Sequence, residues 1–268
     1  MDETTPKIPE SYLNRKTEDV IYTLILTCFG FIPYGGVFTP LINETIEPPV
    51  FRRFKSFLTS VSLDLIELQN RMDNFDLTEL LDDENFITVI IQATQIAIRN
   101  HQKEKLEVLR NAVLNSALPI NIENDMQLTF LSYIDTFTTV HIQLLKFFHE
   151  KKSNEWILDL ANTLDHECVI DDGKKYGENY YKKSWILRAF NLWEVLGHEY
   201  PLFNKTLPNT TFYEQVIKDL ESKGMLIIKN KPIINYSSNH FFNTNLCVFG
   251  KLFVEYLTSP TENDLVKK

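Results

Sequence analysis

From Val20 to Asn43 the chain carries no charged residue: VIYTLILTCFGFIPYGGVFTPLIN. At about 1.5 Å of rise per residue, a helix of that length would reach across a bilayer, for which about 20 residues suffice. The segment is interrupted by Gly30, Pro33, Gly35, Gly36 and Pro40. Proline removes a backbone donor and glycine loosens a helix. The pattern therefore predicts two short apolar helices, near 18–31 and 37–46, hinged at Ile32-Pro33-Tyr34-Gly35-Gly36. Each half is too short to span a membrane alone. Ahead of the hairpin, residues 1–16 are polar with two prolines and read as a flexible arm. Thr17-Glu18-Asp19 place carboxylates where a helix N-terminus favours them.

Pro48-Pro49 closes the hairpin, and helical periodicity takes over. Phe54, Phe57, Leu58, Val61, Leu65 and Leu68 fall on one face of a helix over 51–71. A short helix is expected at Asp76–Leu81. Asp83 caps the next, which runs through Phe86, Val89, Ile90, Ala93, Ile96 and Ala97 to Arg99. Another covers 102–117, closed by Pro119. Asn124 or Asp125 opens one long helix to Phe148, and Trp156–Leu164 makes one more. Long helices with short connections are the pattern of a bundle.

The polar stretch Asp165–Tyr176 reads as a loop and domain boundary, and Tyr180–Leu196 as a helix. Thr210 or Thr211 caps a helix over Phe212–Lys223, and Gly224 stands where a left-handed C-cap residue belongs. Met225–Ile228 reads as a strand, Asn230–Pro232 as a turn, Ile233–Tyr236 as a second strand, and Thr244–Leu257 as the last helix. This order over roughly 184–257 resembles a winged helix, carried by Val216–Leu226 (VIKDLESKGML). The fold class expected is mainly α, a helical bundle with a small winged-helix-like α+β C-terminal domain. The boundaries are an arm at 1–16, a bundle at 17–164 including the apolar hairpin 18–46, the winged-helix-like domain at 177–258, and a tail at 259–268.

A winged helix raises the question of DNA. The candidate contacts are Lys218 and Lys223 on the helix and Lys229 and Lys231 on the wing. Glu214, Asp219 and Glu221 offset them, and the helix has no arginine for base edges. The whole chain has 27 Lys and Arg against 36 Asp and Glu, a net charge of −9. Binding to a phosphate backbone draws most of its affinity from cations, so nucleic acid is not the favoured partner.

Cysteine usage sets the compartment expected. Cys28, Cys168 and Cys247 are far apart and form no C-x-x-C, which reads as reduced thiols in a cytoplasm. The first twenty residues show no secretory pattern. Cytoplasmic location is expected, with membrane association through 20–46 as the variant.

The densest group of potential ligands is Asp165-His166-Glu167-Cys168, with Asp171, Asp172 and the downstream His198-Glu199. His166, Glu167, Cys168 and His198 are weak metal candidates, because no second pair stands at zinc-ligand spacing. A solvated loop accounts for them, so no metal and no cofactor is expected. Cys28 and Cys247 read as small buried hydrophobes. His141 and His149 read as surface or capping residues. No nucleophile elbow, phosphate loop, dinucleotide fingerprint or zinc-protease motif occurs, so no catalytic residue is assigned and the protein is not expected to be an enzyme.

The hairpin Ile32–Gly36, the Pro48-Pro49 helix start followed by Arg52-Arg53, and Phe249-Gly250-x-x-Phe253 near the end together resemble a loose group of uncharacterised bacterial all-helical proteins. Some of those are grouped with phage abortive-infection components. The resemblance implies a role in bacterial antiviral defence but no activity and no site residue. The reading that follows is a non-enzymatic protein-interaction or regulatory protein. Its apolar hairpin is first of all a buried part of the helical core, or else the surface that a protein partner or a second copy covers, with Phe31, Ile32, Pro33, Tyr34, Gly35 and Gly36 as the contact residues. Two other readings remain open. One is a membrane-acting effector using 20–46, since its charge pattern is similar to the hydrophobic hairpins of pore-forming toxins. The other is a winged-helix DNA-binding regulator.

Overall fold

The computed structural model describes residues 15–31, 48–119, 122–150, 210–228 and 244–260. The described residues are mainly helical, and they divide between two compact units. Unit 1 comprises residues 1–139 and 255–268, and unit 2 comprises 140–254. Unit 1 holds α1 (Arg15–Gly30), α2 (Pro49–Arg71), a 3-10 turn (Glu79–Leu81), α3 (Glu84–Arg99), α4 (Lys103–Ser116) and α5 (Asn124–Thr136). Unit 2 holds α6 (Thr139–His149) from its second residue on, α7 (Thr210–Ser222), β1 (Leu226–Ile228), β2 (Thr244–Leu246) and most of α8 (Val248–Leu257). The last turn of α8 belongs to unit 1.

Local chemistry sets the helix ends of unit 1. Pro49 opens α2 at a first-turn position, where its missing N–H costs nothing. Asp83 caps α3: its Oδ1 accepts from the backbone N–H of Asn85 at 2.9 Å and of Phe86 at 3.1 Å. At the other end Asn100 Nδ2 donates to the Ile96 carbonyl at 2.8 Å. The short helix expected at 76–81 is the 3-10 turn, one residue of which, Leu80, is buried.

The expected single helix from 124 to 148 is broken in two. Phe137 adopts φ −71° and ψ 143°, an extended conformation, and α6 starts at Thr139. The run Thr136-Phe137-Thr138-Thr139-Val140 explains the break. Four of its five residues are β-branched and disfavour the helix. Thr136 Oγ1 turns back onto the carbonyls of Ser132 at 3.1 Å and Tyr133 at 3.3 Å. Phe137 is buried and stacks on Tyr133, with ring centroids 5.5 Å apart.

The core of unit 1 is organised around α3. Phe86, Val89, Ile90, Ala93, Thr94, Ile96, Ala97 and Ile98 are all buried. At 100° per residue these positions sweep about half the helix circumference, wider than a single apolar stripe. Cover therefore comes from several sides, and α1, α2, α4, α5 and the 3-10 turn all pack against α3. The one hydroxyl in that set, on Thr94, is satisfied by the Ile90 carbonyl at 2.7 Å.

The last turn of α8 is received by α4. Asn111 Nδ2 donates to the Leu257 carbonyl at 2.8 Å. Asn115 Nδ2 donates to the carbonyls of Tyr256 and Thr258, both at 2.9 Å. Two buried asparagines thus satisfy carbonyls that a helix end leaves open. The Tyr256 ring packs against Phe130 at 5.6 Å, and burial pushes its phenol far above the usual range.

In unit 2, α7 ends as the sequence predicts. Gly224 has φ 68°, its N–H donates to the Glu221 carbonyl at 2.9 Å, and the Met225 N–H donates to Leu220 at 2.9 Å. That pair of bonds closes a helix through a left-handed residue and delivers the chain into β1. The strand β1 pairs antiparallel with β2, Leu226 opposite Leu246 and Ile228 opposite Thr244. Here the sequence reading is corrected: 244–246 is strand, and the last helix begins at Val248. The Cys247 N–H donates to the Met225 carbonyl at 3.0 Å and extends the pairing past β2. The expected strand 233–236 and the expected helices 156–164 and 180–196 lie outside the described residues.

Gly250 explains part of the Phe249-Gly250-x-x-Phe253 pattern. A Cβ added there would stand 2.3 Å from the Met225 carbonyl oxygen and 3.0 Å from its carbon. Only glycine lets α8 lie against the joint between α7 and β1. Gly250→Ala is expected to cost about 1–3 kcal/mol in denaturant unfolding, as forced overpacking does. Gly30→Ala, with nothing within 4 Å of the added Cβ, is the matched control and should change little. Equal effects at both positions would remove the close-approach explanation.

Candidate docking surface

The described half of the uncharged segment is a helix with two distinct faces. Val20, Ile21, Leu24 and Cys28 of α1 are buried. On the opposite face Tyr22 is 64% exposed and Leu26 50%, and Phe31 just past the helix end is 56% exposed. Thr23 and Thr27 spend their hydroxyls on the helix's own carbonyls, of Asp19 at 2.8 Å and Thr23 at 2.9 Å. The outer face from Tyr22 onward is therefore apolar and uncharged without being core.

Aromatic packing holds the far end of α1 in place. The Phe29 ring meets Phe51 at 6.1 Å and Phe54 at 5.7 Å, both edge-on. Gln95 Nε2 of α3 donates to the Phe31 carbonyl at 3.3 Å. The end of α1, the start of α2 and the end of α3 thus share one end of unit 1. The α4 start and α5 end join them: Arg99 bridges Asp135 at 3.0 Å, and Lys105 Nζ donates to the Asp135 carbonyl at 2.9 Å. Lys105 is buried, and burial lowers its pKa against the opposing pull of Asp135.

Charge is divided between the two ends of this bundle. At the Phe31 end stand Arg52, Arg53, Lys55, Arg99, Lys103 and Lys105, with Glu104, Glu107 and Asp135 as the carboxylates. At the other end, where α1 begins with Arg15 and Lys16, α2 finishes and α5 begins among Asp73, Asp76, Glu79, Asp82, Asp83, Glu84, Glu123 and Asp125, with Arg71 bridged to Glu67. The exposed Val50, Arg52 and Lys55 lie at the same end as Phe31.

Inside unit 1, Arg110 Nε stands 2.9 Å from Asp64 Oδ2. Both atoms are shut off from solvent, and the N–H is not aligned as a hydrogen bond, so the contact is one of charge. Burial raises the Asp64 pKa, Arg110 opposes the rise, and Glu67 adds to it. Cys28 behaves as a buried hydrophobe: burial pushes its thiol up to about 11, against a lowering by Thr94. An unreactive thiol follows, because the thiolate is the nucleophile.

Phe31 is described and exposed, while Ile32, Pro33, Tyr34, Gly35 and Gly36 lie outside the described residues. So do His166, Glu167, Cys168 and His198, and so do Lys229 and Lys231. Lys218 is exposed on α7 and Lys223 is partly exposed. Cys247 is partly exposed rather than buried, and it precedes α8. His141 corrects the surface reading: it is buried, its Nε2 3.6 Å from Asp219 Oδ2. Gln215 Nε2 donates to the other oxygen of Asp219 at 2.8 Å. Among the described residues no group of three or more His, Cys, Asp or Glu is placed to hold a metal ion, and no helix is long and apolar enough to cross a membrane. Tyr22 and Leu26 escaped the sequence reading, although their four-residue spacing within an uncharged helix was a usable signal.

Compared with protein families, with curated proteins and with solved structures, the chain matches none.

The Asp64–Arg110 pair gives a pH test. A carboxyl whose folded pKa is raised holds its proton more readily in the folded state. Its contribution is complete below the ordinary aspartate value of about 3.9 and is lost as pH rises through the folded pKa. The difference in unfolding free energy between wild type and Asp64→Asn should therefore shift against the wild type over that rise. A shift in its favour would mean that Arg110 outweighs burial.

Proposed function

We propose that this chain is a non-enzymatic interaction or regulatory protein that works by contact, through the outer stripe of α1. The observation that carries the reading is the exposure of Tyr22, Leu26 and Phe31 on a helix whose opposite face is core. Packing does not require apolar residues at those positions, and contiguous exposed apolar surface marks contact sites. The resemblance to bacterial defence proteins extends the reading to phage defence. Phe31 is common to the stripe and to the contact residues Phe31–Gly36 expected from the sequence.

We propose also that unit 2 is winged-helix-like. Support comes from the α7–Gly224–β1 joint and from the antiparallel partner of β1. DNA binding is the weaker use of such a unit here. Asp219 sits beside Lys218 on α7, and no arginine lies on that helix.

A photo-cross-linking residue placed at 22 or 26 in living bacteria should give macromolecular adducts, protein or lipid, that the same residue at Glu67 or Glu79 does not. In parallel, expression of the protein should lower phage plating, and Leu26→Glu should restore it without lowering the unfolding midpoint. Adducts at stripe positions no more abundant than at the controls would contradict the contact reading. Unchanged plating with the wild-type protein would contradict the defence role.

A further inference from the structure

Unit 1 superposes two asymmetries that the sequence shows only separately. The exposed large apolar side chains among its described residues are Tyr22, Leu26, Phe31 and Val50. Tyr22 and Leu26 lie on α1, Phe31 just past its end, and Val50 at the start of α2. The cations Arg52, Lys55 and Arg99 gather at the end where Phe31 and Val50 stand. The opposite end carries most of the acids, together with Arg15, Lys16 and Arg71, and none of these exposed large apolar residues.

We infer that the outer face of α1, with the adjoining start of α2, docks on the surface of an anionic lipid bilayer, the α1 stripe lying in the interface. The inference rests on the contact reading of α1 and names what the stripe meets. Apolar side chains of an interfacial helix enter the boundary between headgroups and acyl chains, while adjacent cations meet lipid phosphates. Phe31 and Leu26 supply the first element, and Arg52 and Lys55, both exposed, supply the second. A chain of net charge −9 is repelled from an anionic surface except where cations such as Arg52 and Lys55 face it.

A second copy of the chain is the competing occupant, since its acidic end would attract this cationic one. It fits less well. The described acidic end has no exposed large apolar residue with which to cover Leu26, Phe31 and Val50. Docking in the interface also agrees with the length of α1, whose 16 residues do not cross a bilayer.

The test is sedimentation of the full chain with vesicles of phosphatidylcholine alone and of phosphatidylcholine mixed with phosphatidylglycerol. Binding to the anionic vesicles should be at least about tenfold stronger than to the neutral ones. Arg52→Ala and Lys55→Ala should each weaken it about fivefold, the effect of one cation at a charged membrane surface. Leu26→Glu should abolish it with the helix content and unfolding midpoint unchanged. Equal binding to both vesicle types, or none to either, would overturn the inference. The cross-links at 22 and 26 separate the two levels. Protein adducts with no vesicle binding would sink the lipid assignment and leave the contact reading standing. No adducts of any kind would sink both.

Discussion

A helix that is apolar around half its circumference cannot rest against a single neighbour. That constraint on α3 organises unit 1. Phe86, Val89, Ile90, Ala93 and Ile96 through Ile98 have to be taken from water together. Each full burial of a large side chain is worth roughly 1.5–3 kcal/mol. The neighbours α1, α2, α4 and α5 all pack against α3, and each turns its own apolar stripe inward. Once the core has claimed one face of every neighbour, the outer faces are free to be polar. On α4 they are, and on α2 past its first turn. On α1 the outer face is not.

That exception is the physical basis of the functional reading. Nothing in the core requires Tyr22 and Leu26 to be apolar, and both are exposed. The topology adds a further property. Short connections make successive helices antiparallel, so charges at the ends of neighbouring helices meet at shared ends of unit 1. Asp83 serves as a cap and Lys105 as a donor to a helix-end carbonyl, so some of these charges have local structural roles. The sum of them is a property of the bundle.

What could be read from the sequence was what short-range rules govern. The Asp83 cap, the left-handed Gly224 and the spans of α2, α3 and α4 follow from hydrogen-bonding geometry and helical period within a few residues. The errors lie where a distant contact or a weak propensity decides. The break at Phe137 depends on a burial site for its ring and on a run of β-branched residues within an otherwise good helical period. Residues 244–246 became a strand because β1 offers a partner. His141 is buried beside Asp219, far along the chain, and the Asn111 and Asn115 bonds to the end of α8 span more than a hundred residues of sequence. Of the candidate surface, the uncharged segment was evident and its outward stripe was countable. The charge division was not, because it exists only after the helices are assembled.

The central claim is that α1 has a core face and a working face. Spin labels placed singly at 20, 22, 24, 26 and 67 test it directly, through their accessibility to oxygen and to a water-soluble relaxant. In the protein alone, labels at 22 and 26 should be open to the water-soluble relaxant and those at 20 and 24 closed to it. With anionic vesicles added, 22 and 26 should lose that accessibility and gain oxygen accessibility, while 67 stays as it was. Labels at 22 and 26 that are closed from the start, or that do not respond to any added surface, would contradict the account.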